Sequence, residues 1–101
     1  MFARLSTFTS SLERLDEGIA LLRDNLLPEI EKQPGFDGAM LLAGVDAEIA
    51  CAVTFWKSEE ALTASAESGQ RLAEMAAKQL DLEVQVTNCE VAFAKFPTGV
   101  A

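Results

Sequence analysis

Six apolar residues in the first third of the chain recur at intervals of three and four positions. They are Leu12, Leu15, Ile19, Leu22, Leu26 and Ile30. This spacing predicts one amphipathic helix with a single buried stripe. Ser10 and Glu13 fit a capping box at its start. Pro28 lacks an amide hydrogen, so we expect the last turns to kink or restart there before Gln33-Pro34-Gly35 ends the helix.

The rest of the chain predicts four strands and a second helix. Residues 1–9 form the first strand, and "FDGAMLLAGVD" and "EIACAVTFW" form a hairpin that turns around Asp46, Ala47 and Glu48. Ser58 is a candidate N-cap for a helix that runs to about Leu80, with a break expected at Gly69. "LEVQVTNCEVAFAKF" closes the chain as a strand, with a β-bulge predicted near Asn88 where its apolar residues change face.

The order β-α-β-β-α-β predicts one ferredoxin-like α+β domain over residues 1–101. Right-handed crossovers place both helices on one face of a four-stranded antiparallel sheet and leave the other face open. In the third strand we expect Ile49, Cys51, Val53 and Phe55 to face the helices. The alternate row, assigned to the open face, is Ala50, Ala52, Thr54 and Trp56, together with Phe2, Arg4, Ser6 and Phe8 of the first strand. An apolar sheet face calls for cover, so we expect a homodimer through it.

The charge balance of the chain argues against a nucleic-acid partner. The net charge is −8, and nucleic-acid binding draws its non-specific energy from Lys and Arg. The third strand also lacks the aromatic and basic signature of RNA-recognition domains, which share this strand order. No apolar stretch approaches the roughly 20 residues of a membrane span, and no secretory signal is evident. We therefore expect a cytoplasmic protein that contacts no membrane.

Two motifs flank the predicted hairpin. "NLLPEIEKQPGFDGAMLL" carries Pro-Gly-Phe before the second strand, and "VTFWKSEEALTAS" carries Trp-x-Ser-x-Glu after the third. Together they resemble the dimeric α/β-barrel superfamily, in particular the antibiotic-biosynthesis-monooxygenase-like domains, over nearly the whole chain. The resemblance implies a homodimer whose two sheets pack face to face into an α/β barrel. It also implies a pocket between each sheet and its helices, or at the sheet interface.

The resemblance implies two kinds of chemistry. Some members of the group oxidise polycyclic aromatic substrates with molecular oxygen and no metal or flavin, and relatives bind and degrade heme. Trp56 matches a Trp that these proteins place near their pockets. The heme degraders also use a His in the following helix, where this chain has Ala66-Glu67-Ser68 and no His anywhere. We therefore expect no cofactor, no metal site, and a small apolar, aromatic or quinone-like ligand.

Six residues are candidates for the pocket wall: Trp56, Arg4, Ser6, Phe8, Thr54 and Asn88. Trp56 offers a flat ring for stacking, but it could equally fill the core at the dimer interface. Arg4, a cation in an apolar strand, needs a partner or water. It could hold an anionic or phenolic ligand, or it could equally form an ion pair with an acidic residue of the same or the other subunit. Without His or Tyr no general base is evident, and catalytic residues stay unassigned. Two functions remain open: a cofactor-independent monooxygenase, and a non-catalytic homodimeric ligand-binding or interaction module.

Overall fold

The structure is a computed structural model that describes residues 1–45 and 48–97, apart from the side chain of Leu12. Its elements are β1 (Phe2–Thr9), α1 (Leu12–Leu21), a π-helical turn (Leu22–Leu26), α2 (Leu27–Glu31), β2 (Phe36–Ala43), β3 (Ile49–Trp56), α3 (Glu59–Leu80) and β4 (Glu83–Glu90). The predicted order is confirmed, because α1, the π turn and α2 form one interrupted helical segment. Of the predicted hairpin turn, Asp46 and Ala47 lie outside the described residues.

The sheet has the strand order β2-β3-β1-β4, and every neighbouring pair is antiparallel. This arrangement confirms the predicted ferredoxin-like fold. The β-bulge predicted near Asn88 is wrong, because β1 and β4 pair without interruption from Phe2–Glu90 to Thr9–Glu83. Cys89, where the change of face begins, lies inside β4 and pairs with Ala3 on the face opposite Val84 and Val86, and residues 91–97 form no strand. The irregularity in the sheet lies in β2, between Phe36 and Gly38.

The two faces of the sheet are the reverse of those predicted. Arg4, Ser6, Phe8, Ala52, Thr54 and Trp56 share a cavity with side chains of the helices. By alternation, Ile49, Cys51, Val53 and Phe55 therefore lie on the open face. Both rows of β3 are apolar, so residue size alone could not identify the helix side. The row with Ala50 faces the helices because its small side chain leaves space for Leu15 and Leu22, which pack with it in the core.

The helices confirm some predicted boundaries and correct others. Ser11 rather than Ser10 caps α1, its hydroxyl accepting from the amide of Arg14 at 3.4 Å. The helix restarts around Pro28, which lies in the first turn of α2. Ser58 caps α3 as predicted, but the break expected at Gly69 is wrong, because α3 continues unbroken to Leu80. Within the described ranges, no helix has the length and apolar character needed to cross a membrane.

The open face of the sheet lies away from the helices, and its β2 and β3 part is apolar. Met40 and Leu42 of β2 are 40% and 49% exposed, and Ile49 of β3 is 39% exposed. Thr7 contacts Cys51 across the β1–β3 pair on the same face, with Oγ1 and Sγ 3.8 Å apart. The predicted homodimer would cover this surface, which is bulkier than the row assigned to it from the sequence.

Candidate functional site

A small cavity lies between the sheet and the helices. Its volume is about 30 Å³, room for one water molecule. Five of the six predicted pocket residues line it, namely Arg4, Ser6, Phe8, Thr54 and Trp56. The sixth, Asn88, is Arg4's cross-strand neighbour and accepts a hydrogen bond from it. The structure thus brings the predicted set together, but on the helix side of the sheet instead of the open face.

Arg4 is the only charged side chain among the buried described residues, with 4% of its surface exposed. Its Nη2 donates to the Leu62 carbonyl at 2.6 Å, and its Nη1 donates to the hydroxyl and carbonyl of Ser65 at 3.2 and 3.4 Å. Its Nε donates to Asn88 Oδ1 at 3.2 Å. Burial lowers the pKa of this guanidinium below its ordinary value. The guanidinium therefore bridges β1, α3 and β4 through neutral acceptors.

Trp56 is completely buried at the end of β3. Its Nε1 donates to Thr54 Oγ1 at 3.0 Å, so the indole has its polar atom satisfied inside the protein. Phe36 packs edge-on against the indole, with ring centroids 5.8 Å apart. The guanidinium carbon of Arg4 lies 5.7 Å from the ring centroid, within the range of a cation–π contact. One wall of the cavity is thus a fixed cation and aromatic pair.

The two sequence motifs meet beside this wall. Gly35, with φ +83°, lies so close to α3 that an added Cβ would fall directly onto the Cβ of Ala61. Its carbonyl accepts from the amide of Lys57 at 2.9 Å, which joins Pro-Gly-Phe to Trp-x-Ser-x-Glu. Phe36 from the first motif then reaches Trp56 from the second. The glycine is required here because both the backbone conformation and the close approach exclude a side chain.

Sequence reasoning missed the part of α3 that receives Arg4. Ser65 is 2% exposed, and Gly69 lines the cavity one turn later. Residues four apart share a helix face, so Ser65 and Gly69 form a small-residue notch opposite β1. A small-residue pair at this spacing was the available signal, but without the strand register it could not be matched to Arg4. The same notch explains why α3 tolerates a glycine in its middle.

Replacing Gly69 by alanine is expected to lower the free energy of unfolding by about 1–2 kcal/mol, the usual cost of overpacking. At an exposed position of a helix, the same substitution would instead raise the free energy of unfolding by about 1 kcal/mol. The reason is that the new Cβ would lie 2.6 Å from Arg4 Nη1 and push the guanidinium off Ser65. Urea denaturation measures the change. In an Arg4→Met background the same substitution should stabilise; a gain in both backgrounds would contradict the confinement of Arg4.

The cavity wall contains donors but no proton acceptor of the usual catalytic kinds. Its polar side chains are Arg4, Ser6, Gln33, Thr54 and the indole of Trp56. No carboxylate, thiol or imidazole from the described residues lines it. Apolar side chains complete the wall, among them Leu22 of the π turn and Leu72 of α3. Such a lining suits a mostly apolar ligand with an oxygen that accepts hydrogen bonds.

No protein-family model matches the sequence, and no curated protein is significantly similar to it. Several solved structures do share its architecture. A monooxygenase from the gene ActVA-Orf6 of Streptomyces coelicolor, solved with nanaomycin D, aligns with a TM-score of 0.73 at 21% identity, over 96% of this chain and 92% of that one. The heme degrader MhuD of Mycobacterium tuberculosis, with two hemes in its active site, gives 0.70 at 23% identity over 95% and 100%. SnoaB, a cofactor-independent oxygenase of Streptomyces nogalater, gives 0.63 at 16% over 98% and 97%.

At these identities the likeness establishes the fold. It confirms, at that level, the resemblance inferred from the two motifs. It leaves the ligand and reaction of this chain to be argued from its own residues.

Proposed function

We propose that this chain, which has the fold of the antibiotic-biosynthesis-monooxygenase-like domains, is a homodimeric, cofactor-independent monooxygenase of aromatic or quinone-like small molecules. The observation that carries the proposal is the Arg4–Trp56 wall beside a cavity between sheet and helices. This is one of the two pocket positions that the resemblance implies. In the proposal, residues 1–101 form a single domain, and Trp56 and Phe8 supply the apolar surface for the ring.

The proposed reaction is the oxidation of a ring methylene to a carbonyl. One atom of O₂ enters the new carbonyl, the other leaves as water, and the four electrons that reduce O₂ come from the two C–H bonds of the methylene. The ring itself is the reductant, so the balance closes without a metal or flavin. The protein's part is to hold the ring against Trp56, exclude bulk water and stabilise negative charge that develops on the ring, a role that suits Arg4.

The cavity has to enlarge before a ring system enters it, since about 30 Å³ holds only a water molecule. The π-helical turn supports such a change, because it places Leu22 on the cavity wall and interrupts the regular helical hydrogen bonding. π-Helical turns occur frequently at functional sites. In the proposal, the side chains of Leu22, Ile30 and Leu72 move outward to admit the ligand.

Heme degradation fits this wall poorly. The region of α3 that would carry the axial His of a heme degrader lies next to Ser65 and Gly69, where the guanidinium of Arg4 packs. A guanidinium has no acceptor lone pair and does not ligate iron. The proposal therefore keeps the metal-free reaction and assigns no cofactor.

The homodimer is proposed to form through the open face of the sheet. The supporting observation is the row of partly exposed apolar residues there, which includes Met40, Leu42 and Ile49. Contiguous apolar surface of this kind marks interaction sites on small proteins. We also propose a cytoplasmic location, because Cys51 and Cys89 are free thiols, which suits a reducing compartment.

Oxygen uptake with 1,8-dihydroxyanthrone tests the catalytic proposal. We expect one O₂ consumed per anthraquinone formed, at a rate at least about tenfold above buffer, a modest threshold for an enzyme. The rate should survive dialysis against EDTA. The fluorescence of Trp56, the sole tryptophan, should change on binding. Binding without turnover would overturn the oxygenase and leave a binding module, whereas absence of both would overturn the ligand site altogether.

The second candidate is a non-catalytic homodimeric module that holds a small apolar ligand or acts by interaction alone. The observation that favours it is the absence of a carboxylate, thiol or imidazole from the described lining of the cavity. An enzyme that removes a proton from carbon normally holds a base within hydrogen-bond reach. The uptake experiment separates the two candidates directly.

A further inference from the structure

We propose that the ligand is bound as a monoanion, an aromatic ring carrying an ionised hydroxyl, with the guanidinium of Arg4 as its counter-ion. This inference rests on the proposed function, because it assigns a ligand class to the same cavity. It follows from a charge imbalance in the site and from the donors that remain there.

The charge imbalance is a buried cation, Arg4, with no buried anion among the residues that the structure describes. All four acceptors around Arg4 are neutral: the carbonyl of Leu62, the carbonyl and hydroxyl of Ser65, and the amide oxygen of Asn88. The described ion pairs lie on the helix surface and do not include it; they are Arg14–Glu17, Arg23–Asp24 and Lys32–Glu29. Burying an unpaired charge is costly. A ligand anion in the adjacent cavity would remove that cost.

The donor count leaves room for such an anion. A guanidinium carries five N–H groups, and the described protein atoms supply four acceptors. Thr54 adds a second donor: its oxygen accepts from Trp56 Nε1, so its own hydroxyl hydrogen is available to a ligand. Both groups line the cavity. One ligand oxygen could therefore receive a charged and a neutral hydrogen bond together.

The chemistry of the ligand follows from the remaining wall. The described wall holds one cation, Arg4. This single positive charge balances a ligand with one negative charge but not a dianionic phosphate. Phe8, Leu22, Ile30 and Leu72 line the cavity with apolar side chains. These suit a ring once Leu22, Ile30 and Leu72 have moved outward. Nearby positive charge lowers the pKa of a phenol, which makes the ionised, electron-rich form available without a protein base. The phenol would release its proton to bulk water as it binds, and Arg4 would stabilise the phenolate that remains.

The test is a visible-absorbance titration of 2-hydroxyanthraquinone, whose colour reports ionisation, free and bound to the 101-residue chain. We expect the bound pKa to fall by at least about one unit, which is tenfold tighter binding of the anion than of the neutral form. Arg4→Met should abolish the shift. Arg14→Met, which removes a surface arginine that is half exposed, should leave it unchanged. The wild-type titration stands even if Arg4→Met fails to fold.

Two further test ligands separate this inference from the proposed function. The neutral 2-methoxyanthraquinone should bind more weakly than the phenolate and equally to wild type and Arg4→Met. Equal binding of the ether and the phenolate, with an unshifted pKa, would overturn the anion and keep the aromatic pocket. Tight binding of anthraquinone-2-carboxylate with an unshifted phenol would overturn the phenolate assignment. If none of the three binds, the pocket itself is wrong.

Discussion

Replacing Trp56 by alanine is expected to remove about 3–5 kcal/mol from the free energy of unfolding, the usual cost of truncating a buried Trp or Phe. The side chain is fully buried, it packs edge-on against Phe36, and its Nε1 donates to Thr54. A small domain has only about 5–15 kcal/mol in total, so much of this variant should unfold near body temperature. Urea or thermal unfolding followed by circular dichroism measures the loss.

Trp56→Phe is the matched control for that experiment. It retains a ring in the core but removes the indole donor to Thr54, so we expect a clearly smaller loss than for alanine. A cost below about 1.5 kcal/mol for Trp56→Ala, less than full burial of one apolar side chain supplies, would show that the indole is not a core residue. In that case the site geometry described here would fail with it.

Dimerisation is expected to weaken by about a hundredfold or more when Met40 and Leu42 are both replaced by lysine. Both side chains are exposed in the single chain, so the substitutions should leave its fold intact. In a face-to-face dimer they would bury like charges, which costs several kcal/mol. Sedimentation velocity at micromolar concentration should show a wild-type dimer and a largely monomeric variant.

The matched control for the interface is Val45→Lys, which adds the same charge at a residue that is 91% exposed and lies outside the strands. This variant should remain dimeric. A wild-type chain that sediments as a monomer would refute the dimer. A Met40→Lys, Leu42→Lys variant that stays dimeric would show that the interface lies elsewhere on the molecule.

The order of the elements was predictable because periodicity is a local property. The stripe from Leu15 to Ile30, the N-cap at Ser58 and the end of α3 at Leu80 each depend on residues close in sequence. Pro28 likewise predicted that the helix restarts, since its missing amide hydrogen fits the first turn of α2. These features arise from backbone hydrogen bonding and capping, which a single segment determines largely by itself.

The faces of the sheet were not predictable in the same way. Both rows of β3 are apolar, so alternation showed two faces but not which one meets the helices. Arg4 was assigned to the open face together with the smaller row of β3, because the bulkier row was matched to the helices. Arg4 is buried instead because Ser65, Gly69 and Asn88, distant in sequence, provide acceptors and space. That arrangement depends on tertiary register and could not be read from any one segment.

The residues of the candidate site could be selected from the sequence, but the face of the sheet on which they lie could not. Arg4, Thr54 and Trp56 were singled out by residue type, and parity along each strand kept them together on one face. That face was wrongly assigned. The residues still lie on one face, because side chains of the same parity along paired strands share a side of the sheet. Ser65 and Gly69 were missed because small residues in an alanine-rich helix carry no signal until the strand opposite them is known.

The cavity between the sheet and the helices, beside Arg4 and Trp56, is the proposed ligand site. A crystal structure of the chain with 2-hydroxyanthraquinone at a pH where the ligand is ionised tests it most directly. We predict the ring against Trp56 with its oxygen about 3 Å from the guanidinium of Arg4, a normal hydrogen-bond distance. A ring held on the open face of the sheet, with Arg4 still bound only to Leu62, Ser65 and Asn88, would show that this cavity is not the ligand site.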